Sequence, residues 1–154
     1  MSRRDQIRMS DDEVLAFLDE ERTVTCATNG HDGFPHLMPL WYVVRGTTIW
    51  AWTYAKSQKV RNIERDPRVT LQVEAGVEYH LLRGVMFRCE ARIHRDTPDV
   101  AALGEEIFRR YGNVEELDEG VRAMIAAQAP KRVALEFVER SRVSWDHRKL
   151  GGVY

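Results

Sequence analysis

Apolar positions in residues 10–20 fall at Val14, Leu15, Phe17 and Leu18, the spacing of one helical face. Ser10 and Glu13 precede them as a capping box, the serine accepting from an early backbone N–H while the glutamate reaches back. From Arg22 to Thr28 the period drops to two and β-branched residues dominate, which predicts a strand. Asn29-Gly30 and Asp32-Gly33 are turn dipeptides. A second strand is expected from His36 to Arg45, with Pro35 and Pro39 marking it as irregular or at an edge. Arg45-Gly46 turns the chain into a third strand, Thr48 to Tyr54, so that these two read as a hairpin.

Ser57 to Arg65 returns to helical spacing, with Val60 and Ile63 on one face, serine at the N-cap and Asp66-Pro67 as the stop. Arg68 to Glu74 alternates as a strand, and Glu78 to Arg95 reads as a long one bent at Gly84, where a barrel corner or a ligand approach is expected. Asp96-Thr97-Pro98-Asp99 starts a helix that runs to Tyr111 and stops at Gly112. A further helix is expected over 114–128, then a last strand from Arg132 to Trp145 and a tail over 146–154. Residues 1–9 read as a mobile arm or a segment that wraps a partner.

About six strands in consecutive hairpin-like runs, with about four helices and no βαβ alternation, point to an antiparallel barrel with flanking helices, mostly β or α+β. No GxGxxG follows a strand, which disfavours a Rossmann fold. At 154 residues one domain, 1–154, is expected, and 44% apolar with 31% charged residues suits a globular core. The net charge of −1 argues against nucleic acid or an anionic membrane as partner. No apolar run reaches a bilayer span and the N-terminus carries no apolar signal region, so a cytoplasmic location is expected. The two cysteines, Cys26 and Cys89, lie in alternating apolar stretches and read as buried thiols.

The stretch from Trp52 to Arg68 carries the most chemistry. A strand ends at Trp52-Thr53, a loop holds Lys56 and Ser57, and a helix opens with Lys59 and Arg61. Free N–H groups and the helix dipole favour an anion there, with the serine hydroxyl and three cations added, so the stretch reads as a phosphate cradle. A solvated basic helix face, five bases against two acids over 56–68, is the alternative. Trp50, Trp52 and Tyr54 share a strand face close to Trp41 and Tyr42; they either fill a core or line a pocket for a flat ligand. In the basic tail segment 140–149, Trp145 can stack on a ligand and Arg148 can grip an anion, or Trp145 can pack at a subunit interface. The five histidines show no metal-ligand pairing and no hydrolase motif is present, so a metal is not expected and any catalysis points to a borrowed cofactor.

The order Pro35-His-Leu-Met-Pro-Leu-Trp-Tyr-Val-Val44, Ile49-Trp-Ala-Trp-Thr53, Lys56-Ser-Gln-Lys-Val-Arg-Asn-Ile-Glu-Arg-Asp-Pro-Arg-Val69 and Ser144-Trp-Asp-His-Arg-Lys-Leu-Gly-Gly152 resembles the pyridoxamine-phosphate-oxidase-like split β-barrel superfamily, and within it the flavin/deazaflavin oxidoreductase branch. The resemblance implies a Greek-key split barrel and a homodimer with two cofactor sites at the interface. It implies a phosphate near Ser57, Lys59 and Arg61, with Lys56 beside them. It lays a tricyclic ring against His36, Leu37, Met38, Pro39, Trp52 and Thr53, covered by the partner through the residues matching Tyr79, Trp145 and Arg148.

The clustered cations favour coenzyme F420, whose tail is the longer anion, over FMN. The classical Arg-Leu-His-type substrate segment is missing, so vitamin B6 oxidation is not expected. The implied activity is hydride transfer from reduced F420 to a flat, unsaturated small-molecule acceptor of quinone, enone or tetrapyrrole type. Tyr54, Tyr79 or solvent can supply the proton. An FMN oxidoreductase, and a non-enzymatic carrier of flavin, deazaflavin or heme, are the alternatives.

Overall fold

The computed structural model describes residues 1–152, so 153 and 154 of the expected tail lie outside the described residues. Alternating side chains drive seven strands into one curled antiparallel sheet: β1 (Val24–Asn29), β2 (Pro35–Leu40), β3 (Val43–Arg45), β4 (Thr48–Tyr54), β5 (Arg68–Ala75), β6 (Arg83–His94) and β7 (Arg132–Asp146). Their order is β2-β1-β5-β6-β7-β4-β3, a half-barrel with two free edges. Five helices flank it: α1 (Arg3–Ile7), α2 (Asp11–Glu20), α3 (Gln58–Arg65), α4 (Thr97–Gly112) and α5 (Glu119–Gln128). No helix among the described residues is long and apolar enough to cross a membrane.

Two cores form on opposite faces of the sheet. Inside the curl, Cys26, Leu71, Phe87, Leu135 and Phe137 meet Val14, Phe17 and Leu18 of α2. Those three are the i, i+3, i+4 stripe read from the sequence. Outside, α4 lays Val100, Leu103 and Ile107 over Val43 and Ala134, with Trp50 and Trp52 packed alongside. Gly104 permits this approach: a Cβ there would lie 2.5 Å from Cζ3 of Trp52. The aromatic face of β4 is therefore a helix-packing face. β2, at the far edge of the sheet, is largely exposed on both faces.

Several expectations need correction. The strand expected over 36–45 is two strands at opposite ends of the sheet. β2 pairs with β1 and only β3 forms the hairpin with β4. The break falls at Trp41-Tyr42 because Tyr42 is fully buried, its hydroxyl donating to the Leu18 carbonyl, while Trp41 stacks on Tyr111 at 4.3 Å. The strand expected over 78–95 starts only at Arg83, after a 3₁₀ turn at Tyr79–Leu81. The ladder runs through Gly84 without a register shift, and its missing Cβ makes room for the Trp145 indole, whose Cζ2 would be 2.4 Å away. The pairing irregularity of β6 instead lies at Arg88/Cys89. The helix expected from 114 starts at Glu119, because Asn113 ends α4 in the left-handed region (φ 52°) and the Asp118 carboxylate caps α5 through Val121 N–H. Residues 3–7 form an unexpected helix with its own capping box, and just after it Met9 N–H donates to Ser144 Oγ.

Candidate functional site

The loop leaving β4 enters α3 through Ser57, and this helix start differs from the others. Ser2, Ser10, Asp96 and Asp118 each accept a backbone N–H with their side chains at the N-termini of α1, α2, α4 and α5. Ser57 occupies the N-cap of α3 without doing so, and its Oγ is buried with no hydrogen-bond partner. The α3 N-terminus thus keeps both a hydroxyl and its first N–H groups unspent. Lys56 and Arg61 are exposed beside it and form no ion pair among the described residues. These groups fit the anionic end of a cofactor.

Lys59 is placed differently. It is only 7% exposed, and its Nζ donates to Thr53 Oγ1 at 2.9 Å beneath the helix start. Burial pulls its ammonium below the ordinary lysine range, and Arg132 nearby lowers it further. The same burial pushes the neighbouring Cys26 thiol up to about 12. Asn62 of α3 is fully buried and donates to Thr28 Oγ1 at 3.0 Å, which pins the helix to β1. On β2, His36 is half-buried with Nδ1 lacking a partner; it lines a cleft of about 220 Å³ with Asp32, Phe34, Gln58 and Asn62. Leu37, Met38 and Pro39 are exposed.

Tyr79, Trp145 and Arg148 form a separate group. Trp145 lies over Gly84, the His147 ring sits 4.7 Å from that of Tyr79, and His147 Nδ1 is 2.9 Å from the Tyr79 carbonyl. Arg148 is tied to Asp146 at 2.7 Å, and that pairing holds the buried Asp146 carboxyl below the usual carboxylate range. The basic tail is neutralised throughout: Arg140 pairs with Glu90, Arg142 with Glu139, and Lys149 with Glu13. Trp52 pairs with Ala134, and Trp145 is eleven residues further along β7, on the order of 30 Å of strand. One copy therefore does not bring the two groups against the same ring.

The sequence reading missed Arg132, the first residue of β7. Its guanidinium lies 4.1 Å from the Tyr54 ring centroid and 4.5 Å from that of Trp52, and its Nε is buried without a partner. Its distance in sequence from the cradle hid it. A cleft of about 750 Å³ lies elsewhere, on the outer sheet face between Asn29, Arg68, Arg88 and Arg140. Its arginines at 68 and 140 are paired with Asp66 and Glu90, and it is lined by no buried side-chain donor left without a partner, unlike the α3 corner.

Among solved structures, the chain is similar to a conserved hypothetical protein from Mycobacterium tuberculosis, at 40% identity and a TM-score of 0.90, covering 100% of this chain and 95% of that one. It also shares the fold of an F420 reductase (21% identity, TM-score 0.65, 82% and 93% covered). The heme storage protein of Vibrio cholerae has the same fold (16% identity, TM-score 0.67, 86% and 93% covered). No curated protein matches. The family model for pyridoxamine 5'-phosphate oxidase matches residues 10–143, and with it the half-barrel and the α3 corner place this chain in the pyridoxamine 5'-phosphate oxidase family.

Proposed function

We propose that this protein is a cytoplasmic oxidoreductase that works as a homodimer and binds coenzyme F420 at the subunit interface, passing hydride to a flat, unsaturated acceptor. The observation that carries the reading is the α3 start, where Ser57 Oγ is buried and unpaired and the helix lacks a side-chain cap. Ser57 and the first N–H groups of α3 would hold a phosphate, with Lys56 and Arg61 supplying charge from the surface. His36, on the inner face of β2, offers a buried ring nitrogen toward the same side of the barrel. Reduced F420, when bound, supplies a hydride as an obligate two-electron donor, where FMN also reacts with dioxygen.

Two features support the dimer. Trp145, Tyr79 and the α3 corner stand too far apart along β7 to enclose one ring within a copy. Away from α4, the outer sheet face presents Leu37 and Val143 at 57% and 43% exposure. A second copy laid on that face can bring its Tyr79 and Trp145 to the first copy's α3 corner and exclude water there.

Titration of the purified protein with F420 and with FMN, followed by fluorescence, tests the cofactor, and sedimentation tests the dimer. Tight binding of F420 alone supports the deazaflavin reading. Preference for FMN moves the protein to flavin chemistry, and binding of neither overturns the proposal.

A further inference from the structure

Arg132 opens β7 opposite Tyr54, the last residue of β4, two residues before Lys56. Its guanidinium rests on two aromatic faces. One of these, Trp52, is itself wedged against Gly104 and set edge-to-face with Phe108 at 6.2 Å and 84°. Stacking uses the face of the guanidinium and leaves its in-plane N–H donors available for an acceptor. No acceptor among the described residues takes them, and Nε is buried. A desolvated, charged donor left unpaired is costly.

The five other half-buried arginines behave differently. Arg45 pairs with Glu106, Arg83 with Glu20, Arg109 with Glu105 and Arg142 with Glu139. Arg110 donates to the Leu18 and Glu21 carbonyls at 2.8 Å each. Among the described half-buried arginines, Arg132 is the one held in place with a buried and unspent Nε, at a corner where Lys59 is a charged neighbour. A planar fork of this kind suits a carboxylate or phosphodiester.

We propose that Arg132 binds a second anionic group of the ligand whose phosphate caps α3, and so selects a cofactor with an extended anionic tail over one that ends in a single phosphate. This rests on the cofactor reading above, since it concerns the same ligand. Ser57 and the α3 N–H groups take the first anion; Arg132, on its aromatic base, takes the next.

The test is equilibrium binding of three probes to the full-length protein: F420, FMN, and the phosphate-free deazaflavin riboside. Arg132→Gln is expected to weaken F420 roughly 10- to 100-fold, as for a lost charge-assisted bond. It is expected to leave FMN and the riboside within about 3-fold. Arg132→Lys keeps the stem and charge but loses the fork; it is expected to fall between wild type and Arg132→Gln for F420, and it carries the test if the glutamine variant does not fold. Unchanged F420 affinity, or equal losses for F420 and FMN, overturns the assignment while leaving the cofactor reading intact. A wild-type protein that binds no F420 overturns both.

Discussion

The two ends of β7 hold similar residues in opposite states. At the Asp146 end the polar side chains around the strand end are spent on one another. Asp146 takes Arg148, Arg83 takes Glu20, Lys149 takes Glu13, and Met9 N–H takes Ser144 Oγ. At the Arg132 end the polar groups are held in place but unspent: Arg132 Nε, Ser57 Oγ, and the exposed cations Lys56 and Arg61. Satisfied donors and acceptors stabilise a fold. Fixed, unsatisfied ones are the ordinary condition of a site that waits for a ligand. Basic composition does not distinguish them, because residues 140–149 are as basic as the α3 region. Pairing does.

The comparison can be broken by substitution. The largest effect is expected from Gly84→Ala at the paired end. The new Cβ would meet Trp145 at 2.4 Å and the Val73 carbonyl oxygen at 2.9 Å, so the indole must leave its seat. Overpacking of this kind costs roughly 1–3 kcal/mol, readable as a lower denaturation midpoint. At the unpaired end, the double variant Lys56→Ala, Arg61→Ala should leave stability within about 0.5 kcal/mol. Its F420 affinity should fall about tenfold or more, with reduced salt dependence. Loss of stability rather than affinity would show that these cations belong to the fold.

Asp146→Asn should cost about 1 kcal/mol, discounted because Arg148 is half exposed. The Asp146 carboxyl is held below its ordinary value of 3.8, so its contribution is complete above that value and is lost as pH falls through the folded value. Wild type should therefore lose stability in acid more steeply than Asp146→Asn.

The smallest effect concerns Lys59. Burial lowers its folded value below the ordinary 10.5, so the unfolded chain binds more protons between the two. Stability of the ligand-free protein should rise with pH through that window, and Lys59→Met should lack this rise. Equal slopes in chemical denaturation as the pH is raised toward the ordinary lysine value would show that Lys59 is not desolvated in solution.

Local elements were legible where one periodicity ran unopposed. The stripe Val14, Phe17, Leu18 on α2, the serines at the N-cap positions 10 and 57, and the alternation of β5 and β7 all read correctly, because each rests on neighbours within a turn or a pleat. The 36–45 segment read wrongly because its apolar run carries no turn signal at Trp41-Tyr42; the β1–β2 and β3–β4 pairings show that the chain leaves one edge for the other, with Tyr42 anchored to Leu18 of α2 between them. Gly84 and Gly104 were visible as glycines, but their partners, Trp145 and Trp52, meet them across strands or from a helix.

The sequence by itself determined the element types, the antiparallel class and the basic segment at the start of α3, since period, caps and turn dipeptides act over a few residues. Only the tertiary structure decided which charges are spent. Lys59 turns inward to Thr53 while Lys56 stays exposed, Arg148 closes on Asp146, and Arg132 comes to lie over Trp52 and Tyr54 through the β4–β7 register. Even where the partner is local, as Thr53 for Lys59 and Asp146 for Arg148, the packing decides which way the side chain turns; for Arg132 the aromatic partners lie dozens of positions away, and the β4–β7 register brings them together.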